Sequence, residues 1–151
     1  MEKEFLLKRW PKIRMDLMTV VEGFNDEDLH FVPVKGGWPV GRLILHISSA
    51  ADHWLHSGIL SDVNVYQRGQ STLEYYPDLP SIKSYLAKEH ERTMALLKSF
   101  DPADWDTPYT YPRGEAYAPA WIFWHVFEHE IHHRGELSLS LGLLGRLGLN
   151  V

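Results

Sequence analysis

The 151-residue chain contains no cysteine, which excludes disulfides, thiolate metal ligands and a cysteine nucleophile together. It also lacks a basic excess: 15 Lys+Arg against 20 Asp+Glu leave a net charge of −5. That balance argues against a general nucleic-acid binder, since phosphate contacts need a basic surface. No uncharged stretch approaches the roughly 18–20 apolar residues of a membrane span. The opening MEKEFLLKRWPKIRM interleaves charges with apolar residues and has no signal-peptide core. The expectation is a soluble cytoplasmic protein, residues 1–151 forming one domain, with neither nucleic acid nor membrane as partner. Nine histidines and six tryptophans stand out against these absences.

Spacing predicts four helices. Leu6, Trp10, Ile13, Leu17, Val20 and Phe24 form the first stripe, where Pro11 is expected either to kink the helix or to mark its first turn. Val40, Leu43, Ile47, Ala50 and Trp54 form the second. A long connection spans Leu60 to Pro80. Ser81 opens the third helix, which carries Ile82, Leu86, Thr93, Leu97 and Phe100 and stops at Asp101-Pro102. A tyrosine-rich loop from Asp104 to Pro119 leads to a fourth helix that runs to about Leu143. The class is all-α, a four-helix bundle with long crossover connections.

Two rows of the fourth helix interrupt apolar residues with polar ones: Ile122, His125, His129, His132, Glu136, Leu139, Leu143, and Val126, His129, His133, Leu137, Leu141. Both are expected to face the core. Burying polar groups without partners costs about 1–3 kcal/mol each, and a metal ion would satisfy several at once. His129 and His133 are one turn apart on one face. His46, within LILHI of the second helix, is the natural third ligand, and three imidazoles leave a coordination position open. His53, about 10 Å further along the axis, lines the cavity without sharing the ion. His30, His56 and His90 are read as surface or loop histidines; Glu89 and Thr93 fall on the inner side of the third helix as candidates to reach the site, with exposure at the bundle edge the favoured reading.

His129-Glu130-Ile131-His132-His133 is also a literal H-E-x-x-H, in which Glu130 would be the general base of a zinc peptidase. The extended version needs glycine at 136 and histidine at 139, where the chain has Glu136 and Leu139. The only acidic residue after His133 is Glu136, and no strand pattern offers an edge for a peptide. The protease reading is set aside.

WPVGRLILHISSAADHW, Trp38 to Trp54, and HVFEHEIHHRGE, His125 to Glu136, resemble the ligand-bearing helices of the DinB/YfiT-like metal-binding four-helix proteins. The resemblance implies a crossover bundle, a divalent metal on His46, His129 and His133, and commonly a homodimer. It further implies relatives that act as metal-dependent thiol S-transferases with bacillithiol, mycothiol or glutathione. Glu136 departs from the family's usual glutamine, as a hydrogen-bond acceptor for a ligand imidazole or a modifier of substrate choice. His125 is expected beside the ligands rather than among them.

The expected chemistry is attack by a metal-activated thiolate of a small-molecule thiol on an electrophile. Trp38, Trp54, Trp124, Tyr109, Tyr111 and Arg113 are candidates for the mouth, against core packing for the tryptophans and plain exposure for the others. Two alternatives use the same ligands: hydrolysis with Glu130 or Glu136 as base, and a metal-binding stress protein without turnover. Zinc or nickel is the expected ion, with iron, manganese and cobalt open.

Overall fold

The computed structural model describes residues 2–61, 69–111 and 114–149. Helix α1 spans Lys3–Glu22, α2 Val40–Ala51, α3 Leu79–Ser99 and α4 Pro119–Leu143. Helix α1 begins eight residues before Pro11, so Pro11 is not its first turn. It lies on the exposed face, where water can take the carbonyl that its missing N–H leaves free. Helix α3 starts two residues earlier than the sequence suggested. Asp78 caps it by accepting from the Ser81 amide at 2.8 Å, and the Ser81 hydroxyl faces back to Asp78 in a capping box.

The loop before α4 carries a short antiparallel hairpin, β1 (Tyr109–Thr110) and β2 (Ala116–Tyr117), with Tyr109 opposite Tyr117. A second departure is in α2, which continues as a π-helix over Asp52–Ile59. Gly58 sits in this wider stretch, and a Cβ there would run into the Tyr111 ring. The absent side chain lets Tyr111 reach across and donate to the Trp54 carbonyl at 2.8 Å.

Helix α4 packs on α1 and α2, and α3 packs on α2 and α1. The ring of neighbours is therefore α1–α4–α2–α3, with α1 diagonal to α2 and α3 diagonal to α4. This order sets α2 beside α4 although some 70 residues separate them in the chain.

Two apolar clusters form the core. One gathers Leu17, Val21, Leu29, Ile44, Leu86 and Leu137; the other gathers Trp10, Leu55, Leu97, Ile122, Phe123 and Phe127. A further set of polar groups is buried with them. Arg14 of α1 donates through Nη2 to Glu89 of α3 and to Glu130 of α4, both at 2.9 Å. Ser48 of α2 and Thr93 of α3 donate to Glu89 at 3.1 and 2.6 Å, and the Trp10 indole donates to Glu130 at 2.8 Å. One connected network thus touches all four helices. Glu89 and Thr93 are completely buried, which corrects their expected place at the bundle edge; their partner Arg14 lies on a distant helix that spacing does not reveal. Burial opposes the charge of Arg14, but Glu130 and Glu89 outweigh it and raise its pKa. Burial raises the Glu130 pKa against the pull of Arg14 and Trp10.

Candidate metal centre

His46 projects from the middle of α2, and His129 and His133 project from α4 one turn apart. The Nε2 of His129 lies 3.0 Å from the Nε2 of His46 and 3.1 Å from the Nε2 of His133. The rings stand at 67–79° to one another, with His46 and His133 centroids 5.0 Å apart. All three side chains are half-buried.

Burial, reinforced by His133 and Arg42 and opposed by Glu136, lowers the His46 pKa to about 4. Burial and the neighbouring histidines His133, His46, His125 and His132 lower that of His129 to about 3. Both rings are therefore neutral near pH 7 and keep a lone pair.

His133 Nδ1 is 2.6 Å from Glu136 Oε2, and the other carboxylate oxygen is 3.3 Å from His132 Nε2. With the carboxylate accepting, His133 carries its proton on Nδ1 and presents Nε2 to the cluster.

The arrangement suits a cation. A neutral His129 has one N–H to offer, and its Nε2 faces two other ring nitrogens, so hydrogen bonding alone satisfies at most one of the contacts. Two imidazoles on a four-coordinate zinc, each at about 2.0–2.1 Å, hold their nitrogens roughly 3.3 Å apart, and the observed separations fall within a few tenths of that. His129 Nδ1 is buried with no acceptor among the described residues, so no bond on that side dictates its tautomer.

Three clefts border this cluster; one of about 330 Å³ lies on the His129 side with His125, Glu128, Ile131 and His132, and the other two are unlike each other and meet at Trp38. On the His133 side, a space of about 480 Å³ is walled by Val34, Trp38, Leu43, Leu139 and Leu143. On the His46 side, a space of about 320 Å³ is lined by Trp38, Arg42, Ser49, Ser71 and Thr72. Trp38 borders both, its ring roughly perpendicular to that of His46 with centroids 4.9 Å apart. The Arg42 guanidinium stacks 4.1 Å over that indole. Arg42 was not among the residues singled out from sequence; it lies one turn before His46, a spacing that marks the same helix face.

The remaining candidates fall elsewhere. Glu130 is turned into the buried network with Arg14 and Trp10 rather than towards the imidazoles, which corrects its reading as a base at the site. His125 stacks on Trp121 at 4.8 Å and on the edge of Trp54, one turn before His129. Trp54 sits half-buried among Tyr111, Tyr117 and Trp121, and His53 is exposed with its ring against Trp54. Neither lines the two clefts. Tyr109 and Tyr111 are half-buried in the second apolar cluster instead of exposed, and Trp124 packs on Phe127. Arg113 lies outside the described residues.

Of the other histidines, His30 is exposed as expected, but His56 is buried and His90 half-buried against Trp10. The first of the two α4 rows also needs correction: His132, Glu136, Leu139 and Leu143 are exposed, while Val126, Leu137 and Leu141 of the second row are buried. The inward stripe is narrower than two full rows.

The model of the DinB superfamily matches residues 10–137. A DinB-like protein from Bacillus cereus superposes with a TM-score of 0.75 at 22% identity, over 98% of this chain and 96% of that one. YfiT from Bacillus subtilis, described as a probable metal-dependent hydrolase with an unusual four-helix bundle topology, gives 0.64 at 21%, over 93% and 88%. A mycothiol-dependent maleylpyruvate isomerase gives 0.65 at 11%, over 93% of this chain and 66% of that longer one. No curated protein matches. At these identities the structural likeness speaks for the four-helix fold. No helix among the described residues is long and apolar enough to cross a membrane.

Proposed function

The chain belongs to the DinB superfamily, and from that premise we propose that it is a metal-dependent thiol S-transferase. In this reading His46, His129 and His133 hold one divalent cation, zinc or nickel, and a small thiol adds to an electrophile beside it. The observation that carries the reading is the convergence of three Nε2 atoms where an apolar cleft meets a polar one. When bound, the ion supplies a nucleophile at neutral pH by favouring the deprotonated form of a coordinating thiol.

The protein's own residues do the rest. Neutral imidazoles leave the cation's charge uncancelled, so the site attracts an anionic sulfur. Glu136 holds the proton at His133 Nδ1 and keeps Nε2 turned inward. Trp38 shields His46 and divides the two clefts. In the overall balance the thiol loses its S–H proton to solvent and a C–S bond forms. The leaving group departs with the electron pair of the broken bond, or, with an unsaturated electrophile, carbon takes up a proton. With no cysteine in the chain, the thiol of this reading belongs to the cosubstrate, and the likeness to a thiol-dependent isomerase supports a thiol in that role.

Hydrolysis at the same ligands is less well served. Glu130 is committed to Arg14 and Trp10, and Glu136 to His132 and His133, so neither of the two carboxylates expected as base is free to activate water.

Elemental analysis followed by a thiol-plus-electrophile screen tests the proposal. His46→Ala, His129→Ala and His133→Ala are each expected to weaken metal binding beyond the roughly 10–100-fold loss of a supporting residue, while His125→Ala retains the ion. Metal content that survives all three substitutions refutes the site. Turnover of an ester or amide in thiol-free buffer refutes the transferase.

A further inference from the structure

Arg42 is a cation without a described counter-charge. It forms no ion pair or hydrogen bond with any described residue, although Arg14, Arg92, Arg134 and Arg146 each pair with a carboxylate. The side chain is exposed, and its guanidinium lies over the face of Trp38, which holds it in place without neutralising it. The side chain borders the polar cleft together with Ser49, Ser71 and Thr72, and the same cleft reaches His46. Arg42 and His46 are four residues apart on α2, about 6 Å along the axis. A ligand with one end at the imidazole cluster therefore has its other end within reach of the guanidinium.

We propose that Arg42, braced on Trp38, selects the thiol cosubstrate by a carboxylate, so that the preferred thiol is an anionic one lying in the polar cleft. The inference rests on the transferase reading and adds the chemical class of the cosubstrate. Arg42 accepts the carboxylate through paired N–H donors, an arrangement a planar guanidinium makes and an ammonium does not. Ser49, Ser71 and Thr72 offer short polar side chains along the same wall. The larger cleft beyond Trp38 has an apolar wall of Val34, Leu43, Leu139 and Leu143. It offers a carboxylate no cationic partner and is left for the less polar electrophile. Trp38 thereby keeps the two reactants on opposite sides of one indole, both ending at the same three nitrogens.

The test is calorimetric titration of the metal-loaded protein, under anaerobic conditions, with three thiols of similar size and different charge: 3-mercaptopropionate, 2-mercaptoethanol and cysteamine. The anionic thiol is expected to bind about tenfold more tightly than the neutral one, the scale of one partly exposed charge-assisted contact. Cysteamine is expected to bind most weakly, and added salt to erode the preference. Arg42→Ala is expected to remove the tenfold preference with metal content unchanged, and Arg42→Lys to restore only part of it. If the wild-type protein binds thiols without regard to charge, or Arg42→Ala weakens all three equally, the assignment of Arg42 fails while the transferase reading stands. If none of the thiols binds the metal-loaded protein, the transferase reading fails and takes this inference with it.

Discussion

Replacing Arg14 by methionine removes a cation hydrogen-bonded to two buried carboxylates. The side chains of Arg14, Glu89 and Glu130 are 7%, 0% and 1% exposed, and both carboxylates are 2.9 Å from the same guanidinium nitrogen. Methionine fills similar space but leaves Glu89 and Glu130 without their counter-charge. Breaking a buried ion pair from one side costs about 3–5 kcal/mol, and at about 2–4 °C per kcal/mol for a chain of this size the midpoint should fall by roughly 6–20 °C. The deficit should also depend on pH. Glu130 already has a raised pKa through burial, and losing Arg14 raises it further. A carboxyl whose folded pKa lies above its unfolded one contributes stability that is present at low pH and lost as pH rises through the folded value. The variant should therefore approach the wild type in acid. Urea unfolding of both chelated proteins at pH 7.5 and 5.5 measures this. A deficit below about 1 kcal/mol, or one equal at the two pH values, would mean that the network does not depend on Arg14 for its charge balance.

Glu136→Gln keeps the shape but weakens the acceptor at His133 Nδ1, and equilibrium competition with a chelator should show metal affinity lowered about tenfold; an unchanged affinity would show that Glu136 does not orient His133. His90 has its pKa lowered to about 3, by burial and then by Arg14. In the unfolded chain it titrates near about 6.5, so its contribution is fully present above that value and is lost as pH falls towards the folded pKa. His90→Gln should therefore flatten the acid limb of the stability curve of the chelated protein relative to wild type. Parallel curves from pH 7.5 to 4.5 would refute that role.

The sequence made the helices legible because apolar spacing survives in the fold: Leu6, Trp10, Ile13 and Leu17 are all buried, and α4 spans Pro119 to Leu143 as expected. The three histidines were legible as a group because imidazoles interrupt apolar rows on two helices. Apolar spacing by itself did not order the helices, since neighbour order in a bundle is decided by packing between distant segments; only the expected sharing of one ion by His46, His129 and His133 set α2 beside α4. The same limit hid the Arg14–Glu89–Glu130 network, whose members are 41 to 116 residues apart along the chain. Periodicity also misjudged Leu139 and Leu143, because an apolar residue on a helix edge looks the same whether a neighbour covers it or water does. The π-helical stretch at Asp52–Ile59 left no sign in residue spacing, and the close approach of Tyr111 to Gly58 joins segments far apart in the chain.

Bundle helices held only by apolar side chains can slip along one another by a turn and find a second interlock of similar energy. Here the hydrogen-bonded knot from Trp10 and Arg14 to Ser48, Glu89, Thr93 and Glu130 joins all four rods, and a one-turn slip would break it. Ser48 is two residues from His46, and Glu130 is next to His129. The knot therefore acts as a vernier, tying the axial level of His46 on α2 to that of His129 on α4 through their buried neighbours.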